Sequence, residues 1–140
     1  MEIDKIKRGD LFIAKLGFGH GSEQGGTRPV LIIQNQKGNK YSKTTIVACL
    51  TTRINHKPYL PTHFILPKLK EIGLKQRSAV LLEQIKVIDK DRLIKKIGHV
   101  SDNLMCQIDK KIKISICPDK GIIRKWGEYV CIQIIIKNTF

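Results

Sequence analysis

Five short apolar runs, each closed by a turn signal, precede one helical stripe, and that order limits what the 140-residue chain can fold into. Residues 11–16, 29–34, 44–51, 63–66 and 78–88 are rich in β-branched and aliphatic side chains and predict strands. Residues 35–42, with Gly38 and Asn39, predict a turn between two of them. The period then changes. Residues 89–97 predict a short helix stopped by Gly98. Ser101 is a helix N-cap with Asp102 in the first turn, and Leu104, Ile108, Ile112 and Ile116 recur every four residues beside Met105. Strands first and helices last predict a mainly β (α+β) domain: a small β-barrel or curled sheet with C-terminal helices.

This length suits one domain with its own core, and 41% hydrophobic residues exclude a disordered chain. No apolar run approaches the roughly 20 residues of a membrane span. The charged N-terminus has no apolar signal-peptide core, so a cytoplasmic protein is expected. Cys49, Cys106, Cys117 and Cys131 form no C-x-x-C pair, and His20, His56, His63 and His99 lack helical metal-site spacing. No metal and no cofactor are expected. The net charge is +14, and residues 24–70 hold eight basic side chains and no Asp or Glu. Such a surface draws polyanions and releases their counterions. A plain solvated lysine-rich face is the bland alternative.

The stretch from Gly21 to Val30 reads Gly-Ser-Glu-Gln-Gly-Gly-Thr-Arg-Pro-Val. The run Gly17-Phe-Gly-His-Gly-Ser that leads into it does not fit G-x-G-x-x-G, G-x-x-x-x-G-K-[ST] is absent, and a strand rather than a helix follows. Pro29 biases Arg28 toward extended backbone, where its guanidinium presents a fork for phosphate oxygens. An ion pair from Arg28 to Glu23 or Glu83 is the structural alternative. Thr51, ending its strand, offers a hydroxyl.

These residues, together with Lys7-Arg8-Gly9-Asp10, Leu60-Pro61-Thr62-His63, Leu81-Leu82-Glu83-Gln84-Ile85 and Ile88-Asp89-Lys90, resemble the MazF/PemK toxins, most of all their Gram-positive branch. The resemblance runs from Lys5 to Cys117. It implies an SH3-like β-barrel with appended helices over residues 1–117, working as a homodimer, followed by an extension of unknown role over residues 118–140. It also implies a metal-independent endoribonuclease that cuts single-stranded mRNA at a short sequence. In that reaction the substrate's 2′-OH attacks the adjacent phosphate and leaves 2′,3′-cyclic phosphate and 5′-OH ends. The catalytic arginine and threonine fall on Arg28 and Thr51. Ser22, Glu23, Gln24 and Gln84 fall on RNA-contacting positions, and His63 is added to them. The implied partners are RNA and an antitoxin whose acidic C-terminal segment covers the dimer and the RNA groove; that complex binds operator DNA through the antitoxin.

The chemistry fits in part. Arg28 suits stabilisation of phosphoryl charge and protonation of the leaving oxygen, but a permanently protonated guanidinium is a poor base. Glu23 and His63 are both candidate bases. Phe18 and Tyr59 are the candidate stacking residues. Two other functions stay open on a fold of this kind: a non-catalytic inhibitor of DNA gyrase, and an RNA-binding module without cleavage.

Overall fold

A computed structural model of the chain describes residues 5–54 and 60–117. The expectation for Tyr59 and that for residues 118–140 lie outside them. Six strands form one antiparallel sheet in the order β4-β5-β3-β2-β1-β6. They are β1 (Asp10–Lys15), β2 (Thr27–Ile32), β3 (Thr44–Thr51), β4 (His63–Leu66), β5 (Ser78–Asp89) and β6 (Leu93–His99). Helix α1 (Gln36–Tyr41) joins β2 to β3, and α2 (Asp102–Ile116) follows β6.

Both faces of the sheet are covered, which is why its strands read as continuous apolar runs. Leu11, Leu31, Ala48 and Leu50 point to one face, where Met105 and Ile108 of α2 close the core. Their neighbours Phe12, Val30, Ile32, Val47 and Cys49 point to the other. Ser101 caps α2 by accepting from the Leu104 N–H, and Arg8 ties the helix down by pairing with Asp109.

Two elements differ from expectation. The predicted turn over 35–42 contains α1. Asn35 caps this helix by accepting from the Gly38 N–H at 2.8 Å, and the buried Asn39 donates to the Gln34 carbonyl at 2.9 Å. Gly38 is a packing glycine here, since a Cβ would lie 2.8 Å from the Gln34 side chain. The predicted helix over 89–97 is a single 3-10 turn, Lys90–Arg92, running into β6, which pairs with β1. Gly98 therefore stops no helix. It lies where the sheet curls until its ends approach: a Cβ on Gly98 would meet the Ile72 carbonyl oxygen at 2.1 Å, and one on Gly73 the Ile97 oxygen at 1.8 Å. The late helical region is thus one helix, and the sheet gains a sixth strand.

Candidate active site

Register builds the site. Val30 of β2 pairs with Cys49 of β3, and Thr51 of β3 pairs with Ala79 of β5, which pairs with Ile65 of β4. Extending the β2–β3 register by two residues sets Arg28 on the same rung as Thr51. Two-residue periodicity puts both on the face of Val30 and Cys49, away from α2. Ala79, with only a methyl group, leaves an open floor beside Thr51.

A bulge in β5 supplies the next wall. Ala48 pairs with Ile85 but Cys49 with Leu81, leaving Leu82, Glu83 and Gln84 without partners on β3. Such a break bends a strand and re-aims its side chains. Glu83 accepts from the Thr62 hydroxyl at 2.8 Å and contacts His63 Nε2 at 2.7 Å. Gln84 turns to the Gly-rich loop, accepting from the Gln24 N–H and donating to the Ser22 carbonyl, each at 3.3 Å.

The loop closes on itself rather than leaving its N–H groups free. Gly26 donates to the Gly17 carbonyl at 2.6 Å, and a Cβ on Gly25 would sit 2.4 Å from the Gly19 nitrogen. That close approach requires glycine. Arg28 is held by this folded loop: Nε donates to the Gly25 carbonyl at 2.7 Å, and Nη1 bonds to Gln24 Oε1. Among the described ion pairs none involves Arg28, so the expected alternative of a bond to Glu23 or Glu83 is not formed. Glu23 instead accepts from the His20 N–H at 3.3 Å. Thr51 Oγ1 accepts from the Arg53 N–H at 3.2 Å, so its hydroxyl proton is available to donate.

Ser22, Glu23, Gln24, Arg28, Thr51, His63 and Gln84 all line one open cleft of about 690 Å³. All seven are residues that the sequence singled out. Glu83, which the sequence offered only as a partner for Arg28, lines it too, as does Arg53. Beneath the floor, burial raises the Cys49 thiol, and the positive charges of Lys86 and Arg28 only partly offset that. Burial also opposes ionisation of Glu83, but hydrogen bonds from His63 and Thr62 outweigh it and hold its carboxyl below the ordinary value. Phe18 stands wholly in solvent beyond the cleft lining. Among the described residues no three His, Cys, Asp or Glu side chains gather as a metal site requires, and no helix is long and apolar enough to cross a membrane.

The sequence profile of the PemK-like, MazF-like toxins of type II toxin–antitoxin systems matches residues 7–116, most of the chain and all of this cleft. The chain belongs to this family. It is 49% identical over 111 residues to the endoribonuclease EndoA of Bacillus subtilis (strain 168), covering 79% of this chain and 94% of that relative. The toxin's fold is shared with solved structures. One, an endoribonuclease in complex with its cognate antitoxin from a mycobacterial species, aligns with TM-score 0.65 at 22% identity, over 82% of this chain and 99% of its own. Another, MazF from Deinococcus radiodurans, aligns with TM-score 0.65 at 20% identity, over 78% of this chain and 94% of its own. The aligned fold is the six-stranded antiparallel sheet with its C-terminal helix.

Proposed function

We propose that this toxin is a sequence-specific, metal-independent endoribonuclease that cleaves single-stranded mRNA. The observation that carries it is Arg28 beside Thr51 at the ends of adjacent strands, in a cleft walled by the Gly-rich loop. The substrate supplies its own nucleophile. Its 2′-OH attacks phosphorus, the O2′–P bond forms, the P–O5′ bond breaks, and a 2′,3′-cyclic phosphate remains.

Arg28 enters this reaction already oriented. Gln24 and the Gly25 carbonyl occupy its Nη1 and Nε, leaving other N–H groups for phosphate. A preorganised cation in a partly shielded site stabilises the developing charge without reorganising. The departing O5′ alkoxide is a stronger base than a neutral guanidine, so Arg28 also hands it a proton and regains one from water. Thr51 donates its hydroxyl to a non-bridging phosphate oxygen. Ser22, Glu23, Gln24, Gln84 and His63 contact the RNA around the cut. The cognate antitoxin lays an acidic segment over the same cleft of a toxin homodimer in the cytoplasm, and the complex binds operator DNA through the antitoxin.

Incubation with a long mRNA in the presence of EDTA tests the reaction. The expected products carry 5′-hydroxyl ends at one recurrent sequence, and Arg28→Ala abolishes them while the fold survives. Full cleavage by that variant rules the mechanism out. Intact RNA with inhibited gyrase would support the gyrase-inhibitor alternative.

A further inference from the structure

The proton on the attacking 2′-OH needs an acceptor, and among the described residues the cleft holds one fixed imidazole. His63 contacts Glu83 through Nε2, and both oxygens of Glu83 are engaged, one by His63 and one by the Thr62 hydroxyl. The pair is locked further by backbone. Thr62 accepts from the Leu82 N–H at 3.0 Å, and His63 donates its own N–H to the Leu60 carbonyl at 2.9 Å. With Nε2 turned to a carboxylate, Nε2 carries the hydrogen and Nδ1 holds the lone pair. Among the described residues Nδ1 has no hydrogen-bond partner, and no fully buried polar side-chain atom lacks one, so Nδ1 is not fully buried. The His63 side chain is otherwise nearly buried, 10% exposed, and it lines the cleft.

We propose that His63 Nδ1 is the general base of this cleft and that Glu83 is its positioning residue. This rests on the endoribonuclease function proposed above. The proton of the 2′-OH passes to Nδ1 as the O2′–P bond forms. The P–O5′ bond then breaks, O5′ takes its proton from Arg28, and His63 releases its own to water. Glu83 fixes the imidazole's tautomer and ring plane and balances the imidazolium charge. It does not touch the substrate. Glu23, the other carboxylate facing the cleft, is the weaker candidate. It is tied to the His20 N–H on an exposed loop, whereas the His63–Glu83 pair is set between two paired strands. Among the described residues, Arg28 of β2, Arg53 after β3 and Glu23 of the loop are the remaining charged groups of the cleft wall.

Single-turnover cleavage of an RNA oligonucleotide carrying the wild-type cut site, followed from about pH 5 to 9, tests this. His63→Ala is expected to lower the rate about 100-fold and to lose the acid limb of the profile, with added imidazole restoring part of the rate. Glu83→Gln is expected to lower it at least about tenfold while keeping the acid limb that His63→Ala loses, because the imidazole keeps its role but loses its fixed tautomer and ring plane. Affinity for the uncleavable oligonucleotide with a 2′-deoxy at the cut should fall far less than the rate does in both, the part lost in the His63 variant being its contact with the RNA. If His63→Ala folds poorly, His63→Gln keeps a donor toward Glu83 without the base and serves in its place. A wild-type pH profile in the His63 variants overturns the proposal, as does a defect confined to affinity for the 2′-deoxy oligonucleotide. In either case the wild type still cuts and Arg28→Ala does not, so the endoribonuclease function stands. A wild type that leaves RNA intact overturns both.

Discussion

Arg28 shows how one side chain is made specific by its surroundings. Its charge alone is ordinary in a chain with 26 lysines and arginines. Its difference lies in the fork: Nε and Nη1 are committed to the Gly-rich loop, so the remaining N–H groups face one direction. Lysine cannot reproduce that division of labour. Arg28→Lys is therefore expected to keep the net charge and RNA affinity yet lose about 100-fold in the rate of cleavage. Glu83 carries a second prediction. Its folded value lies below the ordinary 4.5, so its contribution to stability is complete above 4.5 and is lost as pH falls through the folded value. In Glu83→Gln the fall of thermal midpoint with acidification below that point should be shallower than in the wild type. Cys49 is buried and its thiol raised, while Cys106 is exposed. A thiol reagent near neutral pH should label Cys106 and spare Cys49 until the protein unfolds.

At the scale of elements, the β5 bulge and the Gly-rich loop form one device. The bulge frees Glu83 and Gln84 from the ladder, and Gln84 then holds the loop by the Gln24 N–H and the Ser22 carbonyl. The loop in turn holds Arg28. Gln84→Ala should accordingly slow cleavage while leaving global stability almost untouched, with loop amides exchanging faster in hydrogen-exchange measurements. The curl of the sheet depends on a different contact. Gly73 and Gly98 bring the segment after β4 against β6 with no space for a Cβ, and Gly73 also has φ +71°. Gly98→Val is expected to cost at least about 2 kcal/mol, read from the urea midpoint. Ser101→Ala, which removes only the α2 cap, should cost about 1 kcal/mol.

Across the whole molecule, the +14 charge acts on encounter and on non-specific affinity rather than on the chemical step. Binding of uncleavable RNA should weaken linearly in log–log form as salt rises, by a slope of about 0.7 for each phosphate neutralised. An acidic antitoxin segment drawn by the same charge should compete with RNA; simultaneous binding of both would place the antitoxin elsewhere. The fold was legible where apolar runs were long and their ends marked. Residues 44–51 and 63–66 form strands with the predicted limits, and Ser101 caps the predicted helix. It was not legible in 35–42, where glycine and asparagine look like a turn but pack against Gln34 and Thr45. Nor was it in 93–99, where a lysine-rich run with a glycine has no decisive period, and pairing with β1 decided.

The sequence by itself determined the family, the mainly β architecture, the basic character of the chain and seven of the residues that line the cleft. Each is written locally: in spacing, in charge, or in a run of neighbouring residues. Only the tertiary structure decided what those residues are to one another. Arg28 and Glu83, offered by the sequence as an ion pair, belong to separate devices, because strand register sets Arg28 beside Thr51 and a bulge turns Glu83 toward His63. Hydrogen bonds between residues 20 and 62 positions apart depend on how strands pair, and pairing is fixed by the burial of the whole sheet, which no local stretch encodes.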